Sequence, residues 1–225
     1  MTWVAGVDGC RAGWVVALVE KRKRGAQPPR LKLCKRFDEV LALSPQPAVI
    51  AVDIPIGLLE SPQRGGRECD RQARWLLGRR RSSVFSPPTR NQLGATTGLS
   101  KQTLGILPKI VEVDRLMTTA LQSTVHESHP ELAFKSLTGK PMPFNKKSFA
   151  GRAARLKALG SPFPGINRYL AKGLKDFTRR QIVPDDLLDA SVLAWTALRI
   201  AEKKAQRVPA NPPVDSKGLR MEIWC

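Results

Sequence analysis

Five acidic residues carry the chemistry this chain could do: Asp8, Asp53, Glu127, Asp186 and Asp189. Three of them end apolar runs, as Val7-Asp8, Val52-Asp53 and His126-Glu127, and the other two follow Pro184 at the start of a helical stretch. Open α/β sheets place their sites at strand ends, so these carboxylates are expected to meet at one point beside a helix N-terminus. Crowded carboxylates repel one another, and a divalent cation is the natural compensating charge. Oxygen donors suit magnesium or manganese, whereas Cys10, Cys34, Cys69 and Cys225 lie too far apart for zinc spacing. Two such ions can activate a water and stabilise the leaving oxygen of a phosphodiester. The metal set read from the sequence is Asp8, Asp53, Asp186 and Asp189, with Glu127 as a further catalytic candidate.

Each acid also has a plainer reading. Asp8, before Gly9, could shape a hairpin turn, Asp53 could end its strand, and Glu127 could pair with an arginine. Asp185 reads as the helix N-cap ahead of any metal role, and Asp186 and Asp189 as favourable charges at the positive helix end. Asp186 and Asp189 are three apart and share a helix face. His126 and Glu127 point to opposite faces of an extended strand, and His129 sits before Pro130 in a turn, so neither histidine is assigned to catalysis. Lys146, Lys147 and the tail lysines read as solvated.

The elements that must position these acids follow from periodicity. Trp3–Val7 and Trp14–Val19 read as a hairpin, Leu31–Lys35 as a third strand and Phe37–Leu43 as a short helix. Lys21–Arg30 is an exposed basic turn. Ala48–Asp53 has the continuous apolar pattern of a strand buried on both faces. Helices are expected near Arg67–Leu77 and Lys109–Leu121, a fifth strand at Ser123–His126, and helices again over Phe149–Leu159 and Ile166–Phe177. The longest helix runs from Pro184 to about Lys204, with Leu188, Val192, Trp195 and Leu198 on one face. Gly218–Trp224 reads as an edge strand. The fold class is α/β: five strands flanked by helices, in one domain over 1–225, with a basic helical insertion at 60–121 before the fifth strand.

The formal net charge of +19 in 225 residues points to a polyanionic partner, nucleic acid of either kind. The insertion concentrates Arg64, Arg67, Arg71, Arg74, Arg79, Arg80, Arg81, Arg90, Lys101 and Lys109. Arginine forks hold phosphate oxygens in pairs, and Arg79, Arg80, Arg81, Lys101 and Lys109 are the expected substrate contacts, with Ser82, Ser83, Ser100 and Thr103 as hydroxyl donors. No cationic leader and no run of about eighteen apolar residues is present, so a cytoplasmic protein without membrane contact is expected.

Longer motifs can be matched as well as read. Gly6-Val-Asp-Gly-Cys-Arg-Ala-Gly-Trp14, Val52-Asp-Ile-Pro-Ile-Gly57, Gly78-Arg-Arg-Arg-Ser-Ser-Val-Phe-Ser-Pro-Pro88, Leu99-Ser-Lys-Gln102 with Pro108-Lys-Ile110, His129-Pro-Glu131 and Asp185-Asp-Leu-Leu-Asp-Ala190 together resemble domain-of-unknown-function family 429. That family is described as predicted ribonuclease-H-like nucleases. The resemblance implies a ribonuclease-H-like fold, with a mixed five-stranded sheet flanked by helices, and a metal-dependent nuclease. Asp8 then corresponds to the acid on the first strand, Asp53 to that on the fourth, and Asp186 with Asp189 to the closing pair on the last helix. Two other functions stay open at this level. One is a nucleic-acid-binding module without catalysis, and the other an ATP-dependent phosphotransferase of the actin or sugar-kinase type, against which the length for only one fold copy counts.

Overall fold

Valine-rich runs favour pleated structure, and they build the first two strands, β1 (Thr2–Cys10) and β2 (Gly13–Lys21), as an antiparallel hairpin. The computed structural model describes residues 1–22, 27–95 and 97–225. The expected basic turn at Lys21–Arg30 falls mainly outside the described residues, at 23–26. β3 (Arg30–Cys34) pairs antiparallel with β2. Helix α1 (Phe37–Leu41) then leads to β4 (Pro47–Val52), which runs parallel to β1, and β5 (Val125–Glu127) runs parallel to β4. The strand order β3-β2-β1-β4-β5, with β2 alone reversed, is the mixed ribonuclease-H-like sheet that the family resemblance implies.

Alternation along the strands feeds two cores. Val4, Val15, Ala17, Val49 and Ala51 face the long helix α7 (Pro184–Ala201) together with α4 (Pro130–Thr138), α5 (Phe149–Leu159) and α6 (Ile166–Asp176). Ala5, Val7, Val16, Ile50 and Val52 face the opposite side, covered by α1 and by α3 (Lys101–Leu116) through Phe37, Val40, Ile110 and Val113. Because α3 belongs to the 60–121 segment, that segment supplies part of the sheet's covering layer as well as decorating it. α2 (Glu68–Leu77) anchors a third, smaller core with Leu132, Met221 and Ile223.

Several expectations are corrected. Asp8 lies inside β1, and the hairpin turns three residues further on at Arg11-Ala12, so the turn-shaping reading of Asp8 fails. α3 begins at Lys101, capped by the Ser100 hydroxyl, and carries Pro108 internally, whereas the sequence pattern starts it only at Lys109. α4 is absent from the sequence expectations, although Pro130 at its first position suits a helix start. α7 is buried nearly all round rather than along one stripe, since it is sandwiched between the sheet and α4, α5 and α6. Its N-cap is Val183, not Asp185; the Asp186 carboxylate accepts the Val183 N–H at 3.0 Å, while Asp185 pairs with Arg152. At the C-terminus, β7 (Ile223–Trp224) forms a separate two-stranded sheet with β6 (Arg207–Val208).

Candidate functional site

Register decides which acids meet. Val7 of β1 stands opposite Val52 of β4, and the Asp53 N–H donates to the Val7 carbonyl at 3.0 Å, so Asp8, within β1, and Asp53, just past the end of β4, lie side by side on adjacent parallel strands. Val7 and Val52 both face the α3 layer, and the period of two turns Asp8 and Asp53 back toward α7. α7 comes down onto β1 without an intervening side chain at Gly6: a Cβ there would lie 2.0 Å from the Ala194 nitrogen and 2.1 Å from the Ala190 carbonyl oxygen. That approach delivers Asp189, one residue before Ala190, into the corner beside Asp8.

Two of these acids are buried and Asp53 is half-buried. Asp189 is 2% exposed and Asp8 8%. Burial, then the neighbouring charges of Asp189 and Asp53, holds the Asp8 carboxyl well above the usual range. Burial pushes Asp189 up to about 6 against the pull of Lys146, and raises Asp53 against the pull of His129 and Lys146. Asp186, at the rim, is raised chiefly by burial while its hydrogen bond from Val183 draws it back. These carboxylates store repulsion that a cation relieves.

A cation is in fact there. Lys146, expected in solvent, donates from Nζ to Asp189 Oδ2 at 2.7 Å. Burial opposes the ammonium, but Asp189, Asp8 and Asp53 outweigh it and raise its proton affinity. Among the described residues, no three His, Cys, Asp or Glu side chains are already disposed to hold a metal ion together. The donor chemistry nonetheless suits a hard divalent ion, since the facing groups are all carboxylate oxygens. One of them is unspent: Glu131, 3% exposed, pairs through Oε1 with Arg155 and at 3.5 Å with Arg80, while its Oε2 is buried without a partner. Sequence reasoning missed both Lys146 and Glu131. The only signal for Glu131 was its place in the His129-Pro-Glu motif.

Glu127 stands elsewhere. It is level with Val52, one step short of Asp53, so alternation sends it to the opposite face of the sheet. There Arg67 grips it with bonds of 2.6 and 2.8 Å, and the Ile56 N–H donates to it at 2.7 Å. Burial pushes Glu127 up to about 7 against the pull of Arg67. The arginine-pair reading is the one seen, and Arg67, itself 1% exposed and also paired with Asp70, is not a phosphate contact. Arg74 and Arg90 are committed as well, to Val84, Gly65 and Ser86 and to Asp114, Glu60 and Asp215.

Two adjoining hollows open above the acids and share Asp53, Ile106 and Lys147. One, about 480 Å³, is lined by Asp8, Arg11, Lys109 and Asp186; the other, about 580 Å³, by Arg80, His129, Glu131 and Lys146. The structure thus brings Arg80 and Lys109 to the cleft, whereas Arg79, Arg81 and Lys101 stand outside its lining. Lys109 also donates to the Gly13 carbonyl at 2.8 Å and lies over the Trp14 ring, bracing the hairpin that carries Asp8. Of the expected hydroxyl donors, Ser100 is spent on capping α3, and Ser83 donates to the Arg80 carbonyl.

The family described as "Protein of unknown function (DUF429)" matches residues 6–214. The chain belongs to it. In this DUF429 chain the matched span runs from Gly6 through the last helix, and so takes in Asp8, Asp53, Asp186 and Asp189. Among solved structures, "Thermus thermophilus RuvC structure" is similar at 12% identity, with 90% of this chain and 98% of that chain covered and a TM-score of 0.42. "T. thermophilus RuvC in complex with Holliday junction substrate" is similar at 14% identity, with 91% and 98% covered and a TM-score of 0.41. No curated protein matches the DUF429 chain. Among its described residues, no helix is long and apolar enough to cross a membrane.

Proposed function

We propose that this chain hydrolyses phosphodiester bonds of nucleic acid with the help of bound magnesium or manganese. The observation that carries the reading is that carboxylates from β1, the end of β4 and α7 crowd one largely buried corner at the floor of a cleft with basic walls. When bound, a divalent ion supplies a Lewis acid for the phosphoryl oxygen and lowers the cost of ionising the attacking water. Asp8, Asp53 and Asp189 hold the ion, with Asp186 at the rim and the free oxygen of Glu131 within the same hollow system. Arg80, Lys109 and Lys147 line the cleft and neutralise backbone phosphates, while Arg79, Arg81 and Lys101 extend the positive surface beyond it. Glu127 serves the fold by balancing Arg67.

The test is cleavage of single-stranded, duplex, hybrid and branched substrates by the purified chain with magnesium and with manganese. Asp8→Asn and Asp189→Asn are each expected to lower turnover by roughly 100-fold or more, as changes around metal sites do. If no substrate is cut by the wild type beyond what Asp8→Asn cuts, the proposal is wrong. A second reading, a binding module without turnover, is favoured by one observation: Lys146 already neutralises part of the cluster. It predicts tight, steeply salt-dependent binding with no product in any metal.

A further inference from the structure

Lys146 reaches the acidic corner from the segment between α4 and α5, and that segment is built to hold it there. On one side the Lys147 N–H donates to Asn145 Oδ1 at 2.9 Å, and the Ser148 N–H and hydroxyl both donate to the Asn145 carbonyl, at 3.1 and 2.8 Å. On the other, Arg152 donates to the Lys147 carbonyl at 3.0 Å and Arg155 to the Phe144 carbonyl at 3.2 Å. The Asn145 carbonyl also sits in a cradle on α5 that only glycine leaves open, because a Cβ at Gly151 would fall 1.8 Å from its oxygen. The backbone at Lys146 is therefore clamped from both flanks, and the side chain spans a fixed distance to Asp189.

Asp8, Asp53, Asp186 and Asp189 carry four negative charges when ionised, and Lys146 returns one; Glu131 is already balanced by Arg155. A first divalent ion leaves one negative charge, whereas a second would turn the cluster positive and would have to share Asp189 Oδ2, which the ammonium already holds at 2.7 Å.

We infer that Lys146 permanently takes the place of one of the two ions that the acid cluster would otherwise hold, so that the centre binds a single divalent cation beside a tethered ammonium. The inference rests on the metal-dependent reading above and replaces the two-ion arrangement expected from the sequence. Lys146 is then a positioning residue that sets ion number.

Manganese titration of the full chain, with free Mn²⁺ followed by electron paramagnetic resonance, reads the count directly. The wild type is expected to take up one ion per chain and Lys146→Met two, while Lys175→Met, which removes an exposed lysine on α6, keeps one. Two ions in the wild type, or one in a folded Lys146→Met, overturn the inference and leave the metal reading standing. No uptake in the wild type overturns both. Should Lys146→Met fail to fold, the wild-type count decides alone, one ion upholding the inference and two overturning it.

Discussion

Two buried carboxylates of the same charge respond in opposite ways to neutralisation. Glu127 is matched by Arg67, so Glu127→Ala takes away one of the two carboxylates, with Asp70, that balance a guanidinium 1% exposed; a loss of about 2–3 kcal/mol in urea unfolding is expected. Asp8 is mismatched, raised by burial and by Asp189 and Asp53, so Asp8→Asn should stabilise the metal-free chain by on the order of 1 kcal/mol while removing activity. If Asp8→Asn destabilises instead, the corner is not a store of repulsion. His126 offers a pH test. Burial lowers it to about 4, with Glu222 opposing, so protons prefer the unfolded chain. Its stabilising contribution is complete above about 6.5 and is lost as pH falls through 4, a difference on the order of 3 kcal/mol between wild type and His126→Phe. The variant is the necessary reference, because Glu127 and Asp189, both raised, push stability the other way as pH falls. At this scale Asp8, Asp53 and Asp189 were legible in the sequence as acids ending apolar runs or opening a helix. Lys146 was not, since a lysine before another lysine in a polar loop looks solvated until the fold places it.

Elements, more than residues, set the spacing of the site. The contact of α7 with β1 at Gly6 leaves no room for a methyl group, and Gly6→Ala must push the helix outward. A loss of about 3 kcal/mol in chemical denaturation is expected, together with loss of metal uptake because Asp189 rides on that helix. Unchanged uptake in Gly6→Ala would show that the helix position does not set the ligand geometry. Strand existence was readable from valine-rich runs and their punctuation, but order across the sheet and register were not: nothing local says that Glu127 stands level with Val52 while Asp53 stands one step beyond. That single step assigns one acid to the cleft and the other to Arg67. Likewise Pro108 and Pro130 look alike as helix stops, yet one lies within α3 and the other starts α4.

For the whole molecule, the charge of +19 predicts association governed by counterion release. Arg79 and Arg81 lie beyond the cleft lining, so changing each to alanine should weaken binding to oligonucleotides of any sequence alike. It should also flatten the plot of log affinity against log salt by about one unit for each phosphate that is no longer neutralised, measured by fluorescence anisotropy. A slope unaffected by both changes would place the polyanion on another face. The basic composition was plain in the sequence, but how it divides was not, because Arg67, Arg74 and Arg90 are spent internally.

The grip of Arg67 on Ile56, Gly57, Asp70 and Glu127 reaches from the 60–121 segment into the central sheet. Excising that segment to obtain a minimal catalytic fragment would strip α3 from Ile50 and Val52 and abandon Glu127 as a lone anion in hydrocarbon surroundings. Any shortened version that keeps β5 must therefore either retain α2 together with Arg67 or replace Glu127 with an apolar residue.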